Sequence, residues 1–299
     1  MRPHLLPLLL AALLASASGC ASNPPLPPKA IALNAAGAVA LENGNLELAQ
    51  ARLALALEYS PRFTEAWVNL GLVEERRGNF ETARRDFVKA RDLNPDLPAP
   101  HHALGILADA EGHSAEAEKL YRAALKVDPG FAPARINLAR RLFARGAYEE
   151  AREHFLRLTQ VAPAALDGWT GLCESLLKLD RRQDARSVLA HTRDGFGEPP
   201  AVTLLEARFL LLDGRFPEAE AALLPLAASP HPFPQSAAAL AWLAIARLGR
   251  GDVAGATDAA GQASALDPDD GVVQFAVKRA AQARRPGGVG ASMQSSSGP

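Results

Sequence analysis

Pro61, Pro95, Pro129 and Pro163 stand 34 residues apart. Gly44, Gly78, Gly112 and Gly146 keep the same step, and Ala49, Ala83, Ala117, Ala151, Ala185 and Ala219 extend it further. Several registers agreeing on one period make the chain a tandem array, in which each unit buries its apolar face only against its neighbours. The content of one period says what the units are. Trp67, Leu70 and Glu74 share a face at helical spacing, and Ala83, Phe87 and Ala90 form a second stripe at i, i+4, i+7. Gly78 opens a turn between the two helices and Pro95 stops the second. Gly71 is small enough for the second helix to come close. Aromatics are only 6% of an Ala- and Leu-rich chain, which favours closely packed helices over strands.

Residues 64–97, TEAWVNLGLVEERRGNFETARRDFVKARDLNPDL, resemble the tetratricopeptide repeat: Trp67, Leu70, Gly71, Gly78, Ala83, Phe87, Ala90 and Pro95 all fall on its pattern. The resemblance implies an all-α fold, a right-handed α-solenoid of about seven helix-turn-helix repeats. These lie at 30–63, 64–97, 98–131, 132–165, 166–199, 200–236 and 237–270. Residues 271–285 read as a capping helix, with Val273, Phe275, Val277 and Ala280 against the last repeat and Lys278, Arg279, Arg284 and Arg285 in water. The fifth repeat is degraded: Asp180 stands where glycine is expected and Gly197 replaces the proline. Its end, GFGEPP, reads as a flex point near Gly195 to Pro200 in one elongated stack. The sixth ends in SPHPFPQS, with three extra residues. Residues 286–299 have no periodicity and are expected to be disordered.

The N-terminus, MRPHLLPLLLAALLASASGC, joins a positive Arg2 to an apolar run from Leu5 to Ala15. A spanning helix needs about 20 apolar residues, so this shorter run fits a signal-peptide core. Ala17, Ser18, Gly19 and Cys20 resemble the lipobox of bacterial lipoproteins, with Ala17 where leucine is usual. The resemblance implies a signal peptide at 1–19, cleavage after Gly19, diacylglycerol on the Cys20 sulfur and an acyl group such as palmitate on the new amino terminus. Two or more acyl chains anchor a protein stably. Among Gram-negative lipoproteins, Asp after the cysteine retains the protein at the inner membrane. Ala21 and Ser22 are not that signal, which makes the outer membrane, facing the periplasm, the expected site. Residues 20–29 then form the lipidated cysteine and a tether, extended by four prolines. The alternative is an ordinary secretory signal, with Cys20 a bystander and the product a soluble adaptor.

Lys plus Arg is 32 and Asp plus Glu is 33, a net charge of −1, which gives no basic surplus for a general nucleic-acid binder. Two cysteines exclude a disulfide scaffold and any multi-cysteine metal site. His101 and His102 are adjacent and point apart on a helix, His113 and His154 lie in other repeats, and no metal site is expected. There is no nucleophile elbow, no phosphate-binding glycine loop and no second domain to build a pocket. The chain is therefore expected to be no enzyme, with no cofactor and no small-molecule substrate. Cys173 stands where the other repeats have Gly37, Gly71, Gly105, Ala139, Ala207 and Ala244, so it reads as a small buried filler rather than a reactive thiol.

In tetratricopeptide proteins the first helices line the concave side, and the second, fifth, sixth, ninth, twelfth and thirteenth positions of each repeat face it. Carried over, the resemblance assigns Val68, Asn69 and Leu72 to the groove, then His102 and Ile106, then Ile136, Asn137, Arg140 and Phe143. Leu177 follows, then Leu204, Arg208 and Leu211, then Trp242 and Ile245. An exposed apolar stripe of this kind marks a partner site. Asn69 and Asn137 are expected to bond a partner's backbone, and Leu72, Ile106 and Phe143 to take its apolar side chains. The family's carboxylate clamp, Lys at the fifth position and Asn at the ninth, is missing: Val68 and Leu72, His102 and Ile106 stand there. Capture of an acidic C-terminal tail is therefore not expected. The expected partners are other envelope proteins in the groove and the membrane at acylated Cys20. Anchor and repeats together are similar to the pilot lipoproteins of type IV pili, which help the outer-membrane secretin to assemble. Gliding-motility and exopolysaccharide-export machines use such lipoproteins too. An accessory subunit of an envelope enzyme is the remaining alternative.

Overall fold

The computed structural model describes residues 25–229 and 233–284 of the 299. The signal segment, Cys20, Arg285 and the tail lie outside the described residues. Within them are fifteen helices and no strand. They run in antiparallel pairs: α1 (Pro28–Glu42) with α2 (Leu46–Tyr59), α3 (Thr64–Arg76) with α4 (Phe80–Leu93), and α5 (Pro98–Ala110) with α6 (Ser114–Val127). Next come α7 (Ala132–Ala144) with α8 (Tyr148–Val161), α9 (Leu166–Lys178) with α10 (Arg182–Phe196), and α11 (Pro200–Leu212) with α12 (Phe216–Ala227). The last pair is α13 (Ser236–Gly249) with α14 (Val253–Leu266), and α15 (Gly271–Ala283) stands alone. The first helix starts at Pro28, inside the expected tether. Proline at the first helical position costs nothing, because its missing N–H has no acceptor there anyway.

Each hairpin turns on a residue in the left-handed region. At Gly78 φ is 81°, and the N–H of Asn79 reaches back to the Glu74 carbonyl at 2.9 Å. In the fifth pair Asp180 takes this conformation, with φ 55°.

Within a pair, the eighth position decides how close the helices come. A Cβ built on Gly71 would lie 2.4 Å from the Phe87 ring, and one on Gly105 would lie 2.6 Å from Tyr121. The fourth pair has Ala139 instead of glycine. Its aromatic, Phe155, lies against Gly171 of the following helix, where a Cβ would come within 2.4 Å of the ring. Cys173 fills the eighth position of the fifth pair, fully buried, with its Sγ 3.4 Å from the Ala185 carbonyl.

Two further ladders join successive pairs. The fourth position of a first helix donates to the carbonyl of the proline that ended the previous helix. Trp67 Nε1 reaches Pro61 at 2.9 Å, Trp169 Nε1 reaches Pro163 at 2.9 Å, and Gln274 Nε2 reaches Pro268 at 3.3 Å. His101 lies 3.3 Å from the Pro95 carbonyl, and Arg135 bonds that of Pro129. Four residue types share one duty, which is to satisfy a carbonyl left open at a helix end. The second ladder is ionic. Arg84 pairs with Glu111 at 2.5 Å, Arg145 with Glu118 at 3.3 Å, Arg186 with Asp213 at 2.5 Å, and Arg250 with Glu220.

Tertiary contacts divide the chain into two units that meet between Gly171 and Leu172, inside α9. The division does not fall at the Gly195–Pro200 joint, where Gly197 ends α10 at φ 74°. In the N-terminal unit, apolar clusters alternate along the pairs. One holds Ala40, Leu41, Ala49, Leu53 and Val73, and another holds Val68, Phe87, Ala90, Leu104 and Leu107. In the C-terminal unit one cluster runs from Leu204 and Leu223 through Leu240 and Ala260 to Val273, Ala276 and Ala280 of α15. Ala276 joins Val273 and Ala280 in that covering face, while Val277 stays 37% exposed. Lys278 stands exposed on α15 at the position that holds a small residue in every pair.

Candidate partner-binding face

The first helices α3, α5 and α7 carry the candidate residues of the N-terminal unit. Val68 and Ile136 are buried, at 5% and 7% exposure, and so is Leu204 in the other unit, at 7%. All three hold the fifth position of their repeats. Val68 and Leu204 pack into the apolar clusters and Ile136 is buried likewise, so these three leave the candidate set. His102, at the same position, is partly buried, with its ring edge-on to Phe131 at 5.6 Å. Burial holds its imidazole down to about 4, so it stays neutral at pH 7.

Asn69 and Asn137 are already engaged. Asn69 Nδ2 donates to Asn34 Oδ1 of the preceding repeat at 2.9 Å, and the Asn137 amide lies 3.0 Å from Nε2 of His102. Both tie one first helix to the next instead of waiting for a partner's backbone. Below them Tyr121 donates to Asp109 at 2.7 Å, and Arg141 faces the other oxygen of Asp109 at 3.2 Å. Sixth-position polar residues thus serve the stack. The spacing of 35 residues between Asn34 and Asn69, repeated between His102 and Asn137, was the available sequence signal.

Leu72, Ile106 and Phe143 remain half-buried on α3, α5 and α7. Phe143 leans edge-on to Tyr148 at 5.2 Å. Arg140 is exposed and pairs with Asp167 at 2.7 Å. In the C-terminal unit Leu177, Leu211, Trp242 and Ile245 are half-buried on α9, α11 and α13. Arg208 lies over Trp242, 5.3 Å from the ring centroid, with Glu174 at 3.9 Å. Among the described residues no group of three or more His, Cys, Asp or Glu could hold a metal ion. No helix among them is long and apolar enough to cross a membrane.

Models of the tetratricopeptide repeat match residues 34–98, 110–166 and 200–225. No curated protein matches the chain. Among solved structures, a tetratricopeptide repeat protein from Parabacteroides merdae ATCC 43184 is 15% identical with TM-score 0.61, over 84% of this chain and 98% of its own. PilF of Pseudomonas aeruginosa is 23% identical with TM-score 0.56, over 71% of this chain and 95% of its own. A thermophilic repeat protein of Thermus thermophilus is 24% identical with TM-score 0.51, over 62% of this chain and 98% of its own. At such identities the likeness is one of fold. The chain is a tetratricopeptide-repeat protein, of a kind that generally works as a protein-interaction scaffold without catalysis.

Proposed function

We propose that the chain is a lipid-anchored scaffold of the bacterial envelope. Acylated Cys20 holds it on the outer membrane, facing the periplasm. The face of its first helices docks an apolar segment, extended or helical, of another envelope protein. The observation that carries this reading is the set of large apolar side chains left half-buried on first helices: Leu72, Ile106 and Phe143 in one unit, and Leu211, Trp242 and Ile245 in the other. Apolar side chains left partly exposed in a group are normally covered by a partner.

Ile106→Glu and Phe143→Glu test the face. Each should abolish capture of the partner that copurifies with the full chain from detergent extract, while the melting transition stays in place. Unchanged capture overturns the docking face. The anchor has its own test, fatty-acid labelling of wild type and Cys20→Ala. Label on the wild type alone is expected, and its absence from both removes the anchor.

A second reading is a secretin pilot of type IV pili. It draws on the lipobox-like Cys20 together with the fold likeness to PilF of Pseudomonas aeruginosa. It requires that the copurifying protein be an outer-membrane secretin. A motility or export component in its place would favour the other accessory roles.

A further inference from the structure

The first helices of the C-terminal unit bring four chemistry-bearing side chains into one line. Lys178 and Glu174 sit one turn apart on α9, Arg208 follows on α11, and Trp242 follows on α13. Arg208 is largely enclosed, with its side chain 16% exposed and its guanidinium over the indole at 5.3 Å. Its carboxylate neighbour, Glu174, stands 3.9 Å away, beyond hydrogen-bond reach. A guanidinium has five donors in a fixed fork, and such a fork suits a carboxylate at shorter range. Burial raises the Glu174 carboxyl and lowers the Lys178 ammonium. Leu211 and Ile245 flank the line as half-buried apolar surface.

We propose that this face takes an apolar segment carrying one side-chain carboxylate. The carboxylate joins the Arg208 fork, and the apolar residue beside it lies against Trp242 and Ile245. The proposal rests on the docking reading above and names the chemistry of the partner. It differs from capture of a free C-terminal tail, for which the fifth and ninth positions lack the Lys and Asn pair.

The test uses the full chain in detergent and short capped fluorescein-labelled peptides of leucine and alanine with glutamate, glutamine or lysine at the centre. The glutamate peptide should bind wild type at least about tenfold more tightly than the lysine peptide, a gap of about 1.4 kcal/mol. Arg208→Glu should reverse that order. Arg208→Gln, close in shape and uncharged, should erase the preference for glutamate over glutamine while weak apolar binding survives. Equal binding of all three peptides to wild type overturns this proposal and leaves the docking face standing. An order unchanged in Arg208→Gln overturns it too. No binding of any peptide overturns both.

Discussion

The Phe87 ring occupies the space that a methyl group on Gly71 would need, 2.4 Å from where that Cβ would sit. The two residues lie on α3 and α4, so their contact sets the spacing of the hairpin. Adding a methylene to a filled core forces side chains off their rotamers at a cost of about 1–3 kcal/mol. Gly71→Ala should therefore destabilise the chain by that amount in urea titration. Phe87→Leu in the same background should recover part of the loss, because the two effects are coupled. Additive losses would mean that the ring does not set the distance.

The ion pair between Arg84 and Glu111 has its charges reversed one repeat later, in Glu118 and Arg145. A ladder indifferent to the direction of its charge should accept a swap. Arg84→Glu alone should lose about 0.2–1 kcal/mol, the range of partly exposed pairs. Adding Glu111→Arg should restore most of it, and 1 M salt should shrink both effects. The position after Arg145 in this ladder is Leu179, and Arg152, which would answer it, pairs with Glu149 of its own helix at 2.6 Å.

The fold was legible because its period is written in residues with one backbone or packing duty: a turn glycine, a stopping proline, a small residue at the close approach. Cys173 was readable on the same grounds, as a member of the small series. The fifth position was misread, since Val68, Ile136 and Leu204 look like any groove residue until the neighbouring repeat is placed over them. The donors to the proline carbonyls were hidden for another reason. Trp67, His101, Arg135 and Gln274 share no side-chain class, only an N–H at the same reach. Phe155 escaped because its partner, Gly171, belongs to the next repeat and answers the alanine at 139.

Asp180 holds a left-handed turn at φ 55° that glycine holds in the other hairpins. For a residue with a Cβ this conformation costs about 1–2 kcal/mol, less for Asp, whose short side chain bonds locally. Asp180→Gly should raise stability by about 0.5–1 kcal/mol, seen as a higher urea midpoint with an unchanged slope. A fall would show that the pair of Asp180 with Arg182 at 2.9 Å outweighs the backbone strain.

Asp86 is 8% exposed on α4, and its Oδ2 has no hydrogen-bond partner. Its neighbour Glu74 is buried as well, but Arg77 at 3.1 Å and Asn79 at 2.8 Å hold that carboxylate. Burial first, and then the Glu74 charge, push Asp86 up to about 6, against the pull of Arg85. The sign follows from proton linkage. A carboxyl raised in the folded state binds its proton more tightly there than in the unfolded chain. Between about pH 4 and pH 6 the folded state therefore holds more protons, and stability falls as pH rises through that window. Above it the full cost is present, about 1–2 kcal/mol once the residual solvent screening is allowed for. Asp86→Asn has no proton to lose. Urea titrations should find the variant more stable than wild type at pH 7.5 by that amount, with the two curves converging at pH 4. A constant gap across the range would mean that Asp86 is ionised in the folded chain at every pH tested, and that its burial is offset by a partner.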